Sequence, residues 1–302
     1  MEKTVPEYLL QQLNKQYGAE TTERILRGFR QKRPTIFRIN PLKDDPEAVR
    51  GQLRQTGLVC EPVTWYPDAL ILREGTEETL RSLPAYEQGA IYLQNLSAMV
   101  PPLVLQPQPG ESVLDMAAAP GGKTTQMAAM TGDKAQLTAC EKDKLRAERL
   151  RFNLERQGVH RAVVMELDAR KLDPLFSFDR VLLDAPCTGS GTILLTEDEP
   201  QRRMEPAWVK KITQTQSALL QKALTVLRPG HEMVYSTCSV LKEENEDIVK
   251  QAAQRFGAEI VPIDASWASA LPLLPSAIPG VLTICPTELY EGFFICRLWK
   301  KK

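Results

Sequence analysis

The sequence predicts an α/β protein whose larger part has a Rossmann-like, mostly parallel, seven-stranded sheet. From residue 112 onward, short apolar runs typical of strands alternate with longer stretches of helical periodicity. Before residue 90 the pattern differs, with amphipathic helices followed by short alternating strands. Strands that alternate with helices favour a parallel sheet covered by helices on both faces. Such sheets bind their ligands at the carboxyl ends of the strands.

The first third of the chain predicts a small α+β unit behind two helices. Residues 1–31 carry apolar residues at helical spacing, and Pro34 ends that stretch. Residues 35–40 alternate as a strand, residues 46–57 look helical, and residues 58–72 look extended. The proline-rich segment 101–110 (PPLVLQPQPG) reads as a junction. The predicted division is residues 1–30 as N-terminal helices, 31–105 as the small unit and 106–302 as the large one.

Acidic residues close four consecutive predicted strands of the large unit. The strands are predicted at 112–116, 136–143, 162–168, 179–186, 232–239, 258–263 and 292–299. The acids are Asp115, Glu141, Asp168 and Asp184. Any one of them could merely cap the following helix. Because all four lie in register, we expect them to line a binding site at one edge of the sheet.

Composition excludes some classes of protein. With 43% hydrophobic and 25% charged residues the chain can bury a core, and no run of about 18 apolar residues predicts a membrane span. The N-terminus has no apolar segment typical of a secretory signal, so we expect a cytoplasmic protein, by default a monomer. The six cysteines form no CxxC pair and only two histidines occur, so no metal site is predicted.

The N-terminal 55 residues are basic although the whole chain has no net charge. They contain 11 Lys and Arg against 7 Asp and Glu. The cluster comprises Arg24, Arg27, Arg30, Lys32, Arg33 and Arg38. It could contact the phosphates of a nucleic acid or simply form a solvated helix face.

The segment after the first large-unit strand predicts a cofactor site. Its glycines, in a strand-to-helix turn, let a ligand approach the backbone. Gly122-Lys123-Thr124 matches the end of a P-loop, but the first glycine of that motif would fall at Ala117, and GxGxxG is absent. An adenosyl cofactor has no pyrophosphate and needs instead an acid for its ribose, such as Glu141. A P-loop-like NTPase remains the alternative.

Two cysteines lie where the sheet should bind its ligand. Cys187 follows Asp184 in DAPCTGSGT, and Cys238 lies in YSTCS at the end of the next strand. A lone cysteine on a strand is more often a core residue, but these two lie among Ser, Thr and Gly. A thiolate that adds to carbon 6 of cytosine makes carbon 5 nucleophilic, which is covalent catalysis. Asp184 could stabilise the charge that develops on the base.

These segments closely resemble the RsmB/NOP/Sun family of RNA 5-methylcytosine methyltransferases. The matching motifs are DMAAAPGGKT, DAPCTGSGT, YSTCS, EENE, NPLK, YLQNLSA and EGFF, and the resemblance covers nearly the whole chain. The resemblance implies a class I methyltransferase domain behind a small RNA-binding domain, with S-adenosyl-L-methionine as cofactor and tRNA or rRNA as substrate. The chain departs from the family pattern at Ala117, His231 and Lys242, and none of these changes removes a proposed functional group.

The resemblance also implies roles for individual residues. Cys238 matches the nucleophile, Cys187 the cysteine that assists product release, and Asp184 a residue that faces both base and cofactor. The implied cofactor contacts are Ala117, Ala118, Ala119, Pro120, Gly121, Gly122, Lys123, Glu141, Arg146, Asp168 and Asp184. Because the chain ends at Lys302 soon after the last predicted strand, we expect RNA contacts from residues 1–90 and the catalytic face. A catalytically silent RNA-binding protein is a further alternative, although a binder needs neither cysteine.

Overall fold

The computed structural model describes residues 4–195, 204–263 and 266–302. Residues 1–3 of the predicted N-terminal helices, and 196–203 and 264–265 of the predicted large unit, lie outside the described residues. The helices are α1 (Glu7–Phe29), α2 (Pro46–Gln55), α3 (Glu77–Arg81), α4 (Pro84–Glu87), α5 (Leu96–Leu105), α6 (Gly122–Met130), α7 (Lys144–Arg156), α8 (Pro206–Val226) and α9 (Glu246–Phe256). The strands are β1 (Ile36–Ile39), β2 (Val59–Val63), β3 (Tyr66–Glu74), β4 (Ile91–Leu93), β5 (Ser112–Asp115), β6 (Gln136–Cys140), β7 (Ala162–Met165), β8 (Phe178–Asp184), β9 (Leu227–Thr237), β10 (Ala258–Val261), β11 (Leu282–Ile284) and β12 (Phe293–Lys300).

The large sheet confirms the predicted fold class. Its strand order is β10-β12-β9-β8-β5-β6-β7, and β11 pairs with β12 beside this path. The pairs among β7, β6, β5, β8 and β9 are parallel, whereas β12 runs antiparallel to β9 and β10. The short strand β11 was not expected. It adds an eighth strand to the seven that the sequence predicts.

Alternating side chains place the large sheet between two layers of helices. On β8, Leu182 packs with α5, α6 and α7, while its neighbours Val181 and Leu183 pack with α8 and α9. The same alternation continues on β9 and β12. Strands that are apolar on both faces are expected where helices cover both sides of a parallel sheet.

The small antiparallel sheet, in the order β2-β3-β1-β4, shares a core with the large one. On β3, Leu70 and Leu72 face the small unit's own helices, whereas Ala69 and Ile71 join the cluster that contains α5 and one face of the large sheet. The two sheets are therefore joined through α5 by continuous apolar packing.

Helix α1 is bent at Gly18, where the backbone leaves the helical region, in agreement with two predicted helices. Its apolar residues pack on the large unit rather than on the small sheet. Leu9, Leu13, Ile25 and Phe29 contact a cluster that includes Val240 and Leu241, just past Cys238.

The predicted proline-rich junction at 101–110 is wrong for residues 101–105, which form the end of helix α5. Pro102 cannot donate the helical hydrogen bond to the Ala98 carbonyl. The side chain of Gln94 supplies that donor from outside the helix, with Nε2 at 3.1 Å from the Ala98 oxygen. Burial of nearly the whole apolar helix outweighs the poor helix propensity of its prolines.

The third predicted strand of the large unit is also shorter than expected. Strand β7 ends at Met165, so Asp168 does not close it. Asp168 instead caps a 3-10 turn at Ala169–Lys171 and accepts a hydrogen bond from the Arg170 backbone N–H at 3.0 Å. The chain turns early because the Leu167 N–H donates to the Met165 carbonyl at 2.9 Å.

Candidate active site

The carboxyl ends of three neighbouring strands bring the predicted residues to one edge of the sheet. Asp115 ends β5, Asp184 ends β8, and Cys238 directly follows β9. Strand β8 pairs with both β5 and β9, and its Asp184 lies opposite Ser236. Parallel pairing therefore places Asp184 between Asp115 and Cys238, as the sequence predicts.

The thiols of Cys187 and Cys238 face each other. Their sulfur atoms are 2.9 Å apart, and both cysteines are free. The loops that carry them are also joined, because the Gly191 N–H donates to the Cys238 carbonyl at 3.0 Å. The hydrogen bond to Cys238, together with burial, raises the pKa of Cys187 well above its usual value. Cys187 is thus a protonated thiol beside the sulfur of Cys238.

Asp184 is held by two donors. Lys123 Nζ donates to Oδ2 at 2.6 Å, and Ser236 Oγ donates to Oδ1 at 2.7 Å. Burial favours a lower pKa for Lys123, but the charge and hydrogen bond of Asp184 outweigh it and raise that pKa. The electrostatic interaction with Cys238 raises the Lys123 pKa further. An ammonium group therefore stands beside Asp184 and within the field of Cys238.

The loop after β5 is built from small residues and a glycine that its backbone requires. Gly121 has φ +111°, a conformation that L side chains rarely adopt, and helix α6 begins at the next residue. Two side chains from α7 hold the loop: Arg146 donates to the Ala119 carbonyl at 3.0 Å and Asn153 to the Pro120 carbonyl at 2.8 Å. The loop is thereby fixed against the helix that follows β6.

Glu141 and Asp168 line a cavity next to this loop. Glu141 follows β6, is only 4% exposed, and accepts a hydrogen bond from the Asp143 N–H at 3.0 Å. Its second oxygen lies 3.4 Å from Arg146 Nη2. Asp168 is bound by the Arg170 guanidinium, and this hydrogen bond lowers the Asp168 pKa to about 2. Asp168 is therefore ionised at neutral pH, and both side chains direct oxygen atoms to the cavity wall.

Two cavities meet at Asp184. The first, which we call the cysteine cavity, has a volume of about 240 Å³. Its polar and thiol-bearing wall includes Glu141, Arg146, Asp168, Asp184, Cys187 and Cys238. The second, the intersheet cavity, has about 490 Å³ and lies between the small sheet and the large one, with Gln94, Lys123 and Glu291 in its wall. Ala117, Ala119 and Asp184 line both.

The family follows from a comparison with known proteins. The family model described as 16S rRNA methyltransferase RsmB/F matches residues 102–299, about two thirds of the chain. The chain belongs to this family. A second model, the ferredoxin-like domain of RsmF/B-like methyltransferases, matches residues 5–77. The resemblance drawn from the motifs is confirmed.

Curated relatives of this family are longer than the chain. Ribosomal RNA small subunit methyltransferase F of Shewanella loihica is 34% identical, and the match covers 89% of this chain and 56% of the relative. Probable ribosomal RNA small subunit methyltransferase B of Synechocystis is 32% identical, with 98% of this chain and 66% of the relative covered. The chain thus spans little more than half the length of the Shewanella relative.

Solved structures share the whole fold. A methyltransferase homolog protein from Pyrococcus horikoshii superimposes with a TM-score of 0.83 at 32% identity, covering 98% of this chain and 100% of its own. NSun6 from the same organism, solved with SFG, gives a TM-score of 0.87 at 25% identity and covers 98% of both chains.

The structure brings nearly all the predicted site residues together. Ala117, Glu141, Arg146, Asp168, Asp184 and both cysteines line the cysteine cavity, and Ala118, Pro120, Gly122 and Lys123 line the intersheet cavity. Gly121 forms the turn directly before helix α6, within the loop that contributes to both cavities. Sequence reasoning missed Ser236, which holds Asp184. Its position, two residues before Cys238 in YSTCS, was the available signal.

The predicted basic cluster is only partly available to a ligand. Arg24, Arg27, Arg30 and Lys32 are exposed, and Arg33 is half-buried. Arg38 is fully buried in β1, so its inclusion among possible phosphate contacts is wrong. Its position on a strand that is covered on both faces explains the difference. None of the helices of the described residues is long and apolar enough to cross a membrane, and these residues contain no group of three or more metal-ligating side chains that could hold a metal ion.

Proposed function

We propose that this protein transfers a methyl group from S-adenosyl-L-methionine to carbon 5 of cytosine in RNA, through a covalent bond between Cys238 and carbon 6. The observation that carries the proposal is the pair of free thiols, 2.9 Å apart, beside Asp184 in the cavity that also holds Glu141 and Asp168. Covalent catalysis on cytosine needs a nucleophile, a group that holds the base, and a cofactor site adjoining both.

The residues of the cysteine cavity suit an adenosyl cofactor. Glu141 and Asp168 offer carboxylate oxygens that can accept hydrogen bonds from ribose hydroxyls or the adenine amine. The Ala and Gly residues of the loop 117–122 leave room for the methionine part close to the backbone. When bound, S-adenosyl-L-methionine supplies the methyl group. The analogue SFG in the related NSun6 structure supports this choice of cofactor.

Cys238 is the better placed of the two thiols to act as nucleophile. The pKa of Cys187 is raised by its hydrogen bond with Cys238 and by burial, so Cys187 keeps its proton. Lys123 interacts electrostatically with Cys238, so an ammonium group stands near the sulfur that would form the bond. The sulfur lone pair forms the bond to carbon 6, and the electrons of the 5,6 double bond become available at carbon 5.

Asp184 and Lys123 are placed to hold the base as its charge changes. The ammonium that Asp184 binds at 2.6 Å offsets negative charge on the ring once the thiolate has added. After methylation the proton on carbon 5 passes to water, the electrons of that bond re-form the double bond, and the bond from sulfur to carbon 6 breaks with its electron pair returning to Cys238. The protonated Cys187 then donates a hydrogen bond to the departing sulfur of Cys238.

We propose ribosomal RNA as the substrate, with tRNA as the alternative. The curated relatives are named as methyltransferases of the small-subunit ribosomal RNA. Exposed basic side chains occur in and just after the end of α1. Arg24 and Arg30 bond to the Leu273 carbonyl and to Glu23, which leaves Arg27 and Lys32 as the better candidates for phosphate contacts. One chain carries the cysteines, the acids and these basic residues, so we propose that it acts as a monomer. The P-loop alternative gives no role to the cysteines, and the ammonium of Lys123 is held by Asp184 rather than directed at a phosphate.

The decisive experiment compares two cysteine variants with in vitro transcribed ribosomal RNA and labelled cofactor. Cys238→Ala should lower methyl transfer at least about 1000-fold, because a missing nucleophile is among the most costly changes in an enzyme. Its affinity for S-adenosyl-L-methionine, measured by calorimetry, should stay within a factor of about two. Bisulfite sequencing of the wild-type product would identify the modified cytosine.

Cys187→Ala should instead accumulate a protein–RNA adduct that survives denaturing electrophoresis, since the step that breaks the sulfur–carbon bond is impaired. The adduct should disappear in the double variant that also carries Cys238→Ala. Retained turnover in Cys238→Ala would refute the nucleophile assignment, and slow turnover of Cys187→Ala without any adduct would refute the release role.

A further inference from the structure

Glu244 is a buried carboxylate that the proposed mechanism does not use. It lies in the 3-10 turn Lys242–Glu244 between β9 and α9, and none of its surface is exposed. A carboxylate withdrawn from water needs hydrogen bonds to offset the lost hydration. The side chain accepts four. Thr188 N–H (2.8 Å) and Gln216 Nε2 (3.0 Å) donate to Oε1, and Thr188 Oγ1 (2.6 Å) and Ser239 Oγ (2.5 Å) donate to Oε2.

The donors show what this carboxylate holds. Thr188 directly follows Cys187, and Ser239 directly follows Cys238. One side chain is therefore bonded to the residue next to each cysteine. Gln216 of α8 extends the network, because its Nε2 also donates to the carbonyl of Pro186, the residue before Cys187.

Glu244 is itself fixed. The hydroxyl of Tyr235, a fully buried residue of β9, donates to the Glu244 backbone carbonyl at 2.7 Å. The next residue, Asn245, donates from Nδ2 to the Ser239 carbonyl at 2.9 Å. The carboxylate thus reaches the two cysteine loops from a rigid base on the strand that precedes Cys238.

We propose that Glu244 is a positioning residue that holds the two cysteine-bearing loops so that the sulfur atoms of Cys187 and Cys238 face each other. This inference rests on the proposed function, since it treats the pair as the machinery of methyl transfer. Hydrogen bonds to an ionised acceptor are stronger than those between neutral groups. Other contacts join the same loops, among them Ser190 Oγ to Ser239 Oγ at 2.7 Å, but Glu244 bonds to the immediate neighbour of both cysteines.

The test uses Glu244→Gln with Glu243→Gln as its matched control. Gln keeps the size of the side chain but replaces one carboxylate oxygen by an N–H₂ group. That group is a donor, and it would face partners that are themselves donors to Glu244 in the wild type. Glu243 lies in the same turn, is half-buried, and accepts a hydrogen bond from Tyr8 OH at 2.6 Å, away from both cysteine loops. For Glu244→Gln we expect kcat to fall about 10- to 100-fold, the size of effect that small misplacement of reacting groups produces. The KM values for RNA and cofactor should change less than about twofold, and the control should behave as wild type.

A second readout needs no RNA. Diamide takes up two electrons and two protons as it converts neighbouring thiols into a disulfide, and peptide mass spectrometry identifies the Cys187–Cys238 product. Its rate reports how often the two sulfur atoms meet in the right geometry. We expect the cross-link to form about tenfold more slowly in Glu244→Gln and at the wild-type rate in Glu243→Gln, because disulfides form only within narrow distances and angles.

The two readouts separate the possible failures. An unchanged kcat and an unchanged rate of cross-linking in folded Glu244→Gln would overturn the proposal. A rise in KM without a fall in kcat would also overturn it. Slower cross-linking in Glu244→Gln, combined with retained methyl transfer in Cys238→Ala, would support the positioning role and refute the proposed function. If Glu244→Gln does not fold, Thr188→Val replaces it. That variant removes one donor at similar volume, and wild-type kcat and cross-linking there would equally overturn the proposal.

Discussion

Asp115 differs from the other acids of the site in its surroundings. It is 2% exposed and accepts a hydrogen bond from Thr124 Oγ1 at 2.7 Å. Burial raises its pKa from the usual 3.8 to about 6, and the hydrogen bond from Thr124 only partly offsets this. Asp184, by contrast, has an ammonium group as its direct partner. The strand-end acids therefore have unequal environments although the sequence presents them alike.

The raised pKa of Asp115 predicts a pH dependence of stability. Between about pH 4 and pH 6 the folded chain binds more protons than the unfolded chain, so the contribution of Asp115 to stability falls as the pH rises through this range. The pKa difference corresponds to about 3 kcal/mol by pH 7 to 8. Asp115→Asn should remove this dependence while its carbonyl and amide replace the carboxylate in the same space.

The measurement is the free energy of unfolding in urea at pH 5, 6, 7 and 8. The advantage of Asp115→Asn over wild type should grow with pH, reaching about 1 to 1.5 kcal/mol above its value at pH 5, with most of the increase complete by pH 7. Asp173→Asn, an exposed control, should follow the wild-type profile. Parallel profiles for wild type and Asp115→Asn would contradict the prediction.

At the scale of elements, helix α1 depends on close contact with the C-terminal part of the chain. A Cβ atom at Gly28 would lie 2.0 Å from the carbonyl oxygen of Pro286, far below any real contact. On the same helix, Arg24 Nη2 donates to the Leu273 carbonyl at 2.8 Å. The apolar face of α1 packs on Val240 and Leu241, so the helix supports the segment just past Cys238.

Gly28→Ala should therefore destabilise the protein by more than about 2 kcal/mol, because backbone atoms on both sides must move. Gly51→Ala, within helix α2, is the matched control. Its nearest neighbour would be an Arg54 nitrogen 3.8 Å away, so the usual gain of about 0.5 to 1 kcal/mol for alanine in a helix is expected. Urea unfolding at constant pH measures both. Equal effects of the two substitutions would show that α1 does not pack as described.

At the scale of the whole molecule, Arg38 links the small sheet to the start of helix α6. Its guanidinium donates to Gln94 Oε1 at 3.0 Å, to the Gly122 carbonyl at 3.2 Å and to Thr125 Oγ1 at 2.5 Å. It also lies 5.2 Å from the centre of the Tyr92 ring. Complete burial lowers its pKa, and the rings and acid nearby only partly restore it. The small sheet is thereby tied to helix α6, which begins at the end of the predicted cofactor loop.

Arg38→Met should cost about 2 to 4 kcal/mol of unfolding free energy, since several buried acceptors lose their donor. Arg73→Met on the exposed part of β3, where Arg73 pairs with Glu61, should cost less than about 1 kcal/mol. Thermal and urea unfolding of both variants provide the comparison. An Arg38→Met protein as stable as Arg73→Met would show that the link contributes little.

The division of the chain into residues 1–30, 31–105 and 106–302 stays a prediction. The contacts show why sequence patterns alone define it poorly. Helix α1 packs on the large unit, and α5, which ends near the predicted boundary, packs on both sheets. Composition changes along the chain, but burial depends on partners that are distant in sequence.

The sequence by itself determined the fold class, the order of the main elements and the loop that carries the candidate site. Period-two and helical patterns are local, and the motifs around Asp115, Asp184, Cys187 and Cys238 lie at strand ends that those patterns locate. Parallel pairing of consecutive units then forces these ends to one edge of the sheet, so much of the site could be predicted before any contact was seen.

Only the tertiary structure decided which side chains serve the chain itself and which remain for a ligand. Arg38 is one more basic residue in the sequence, but the structure buries it against α6. The prolines of α5 predict a junction, but they lie in a helix, where Gln94 supplies the hydrogen-bond donor that Pro102 lacks. Glu244 is one of the acidic residues of EENE in the sequence, and in the structure it accepts four hydrogen bonds between the cysteine loops. The physical reason is common to all three. Burial and hydrogen-bond partners arise from residues far apart in the chain, and no local pattern records them.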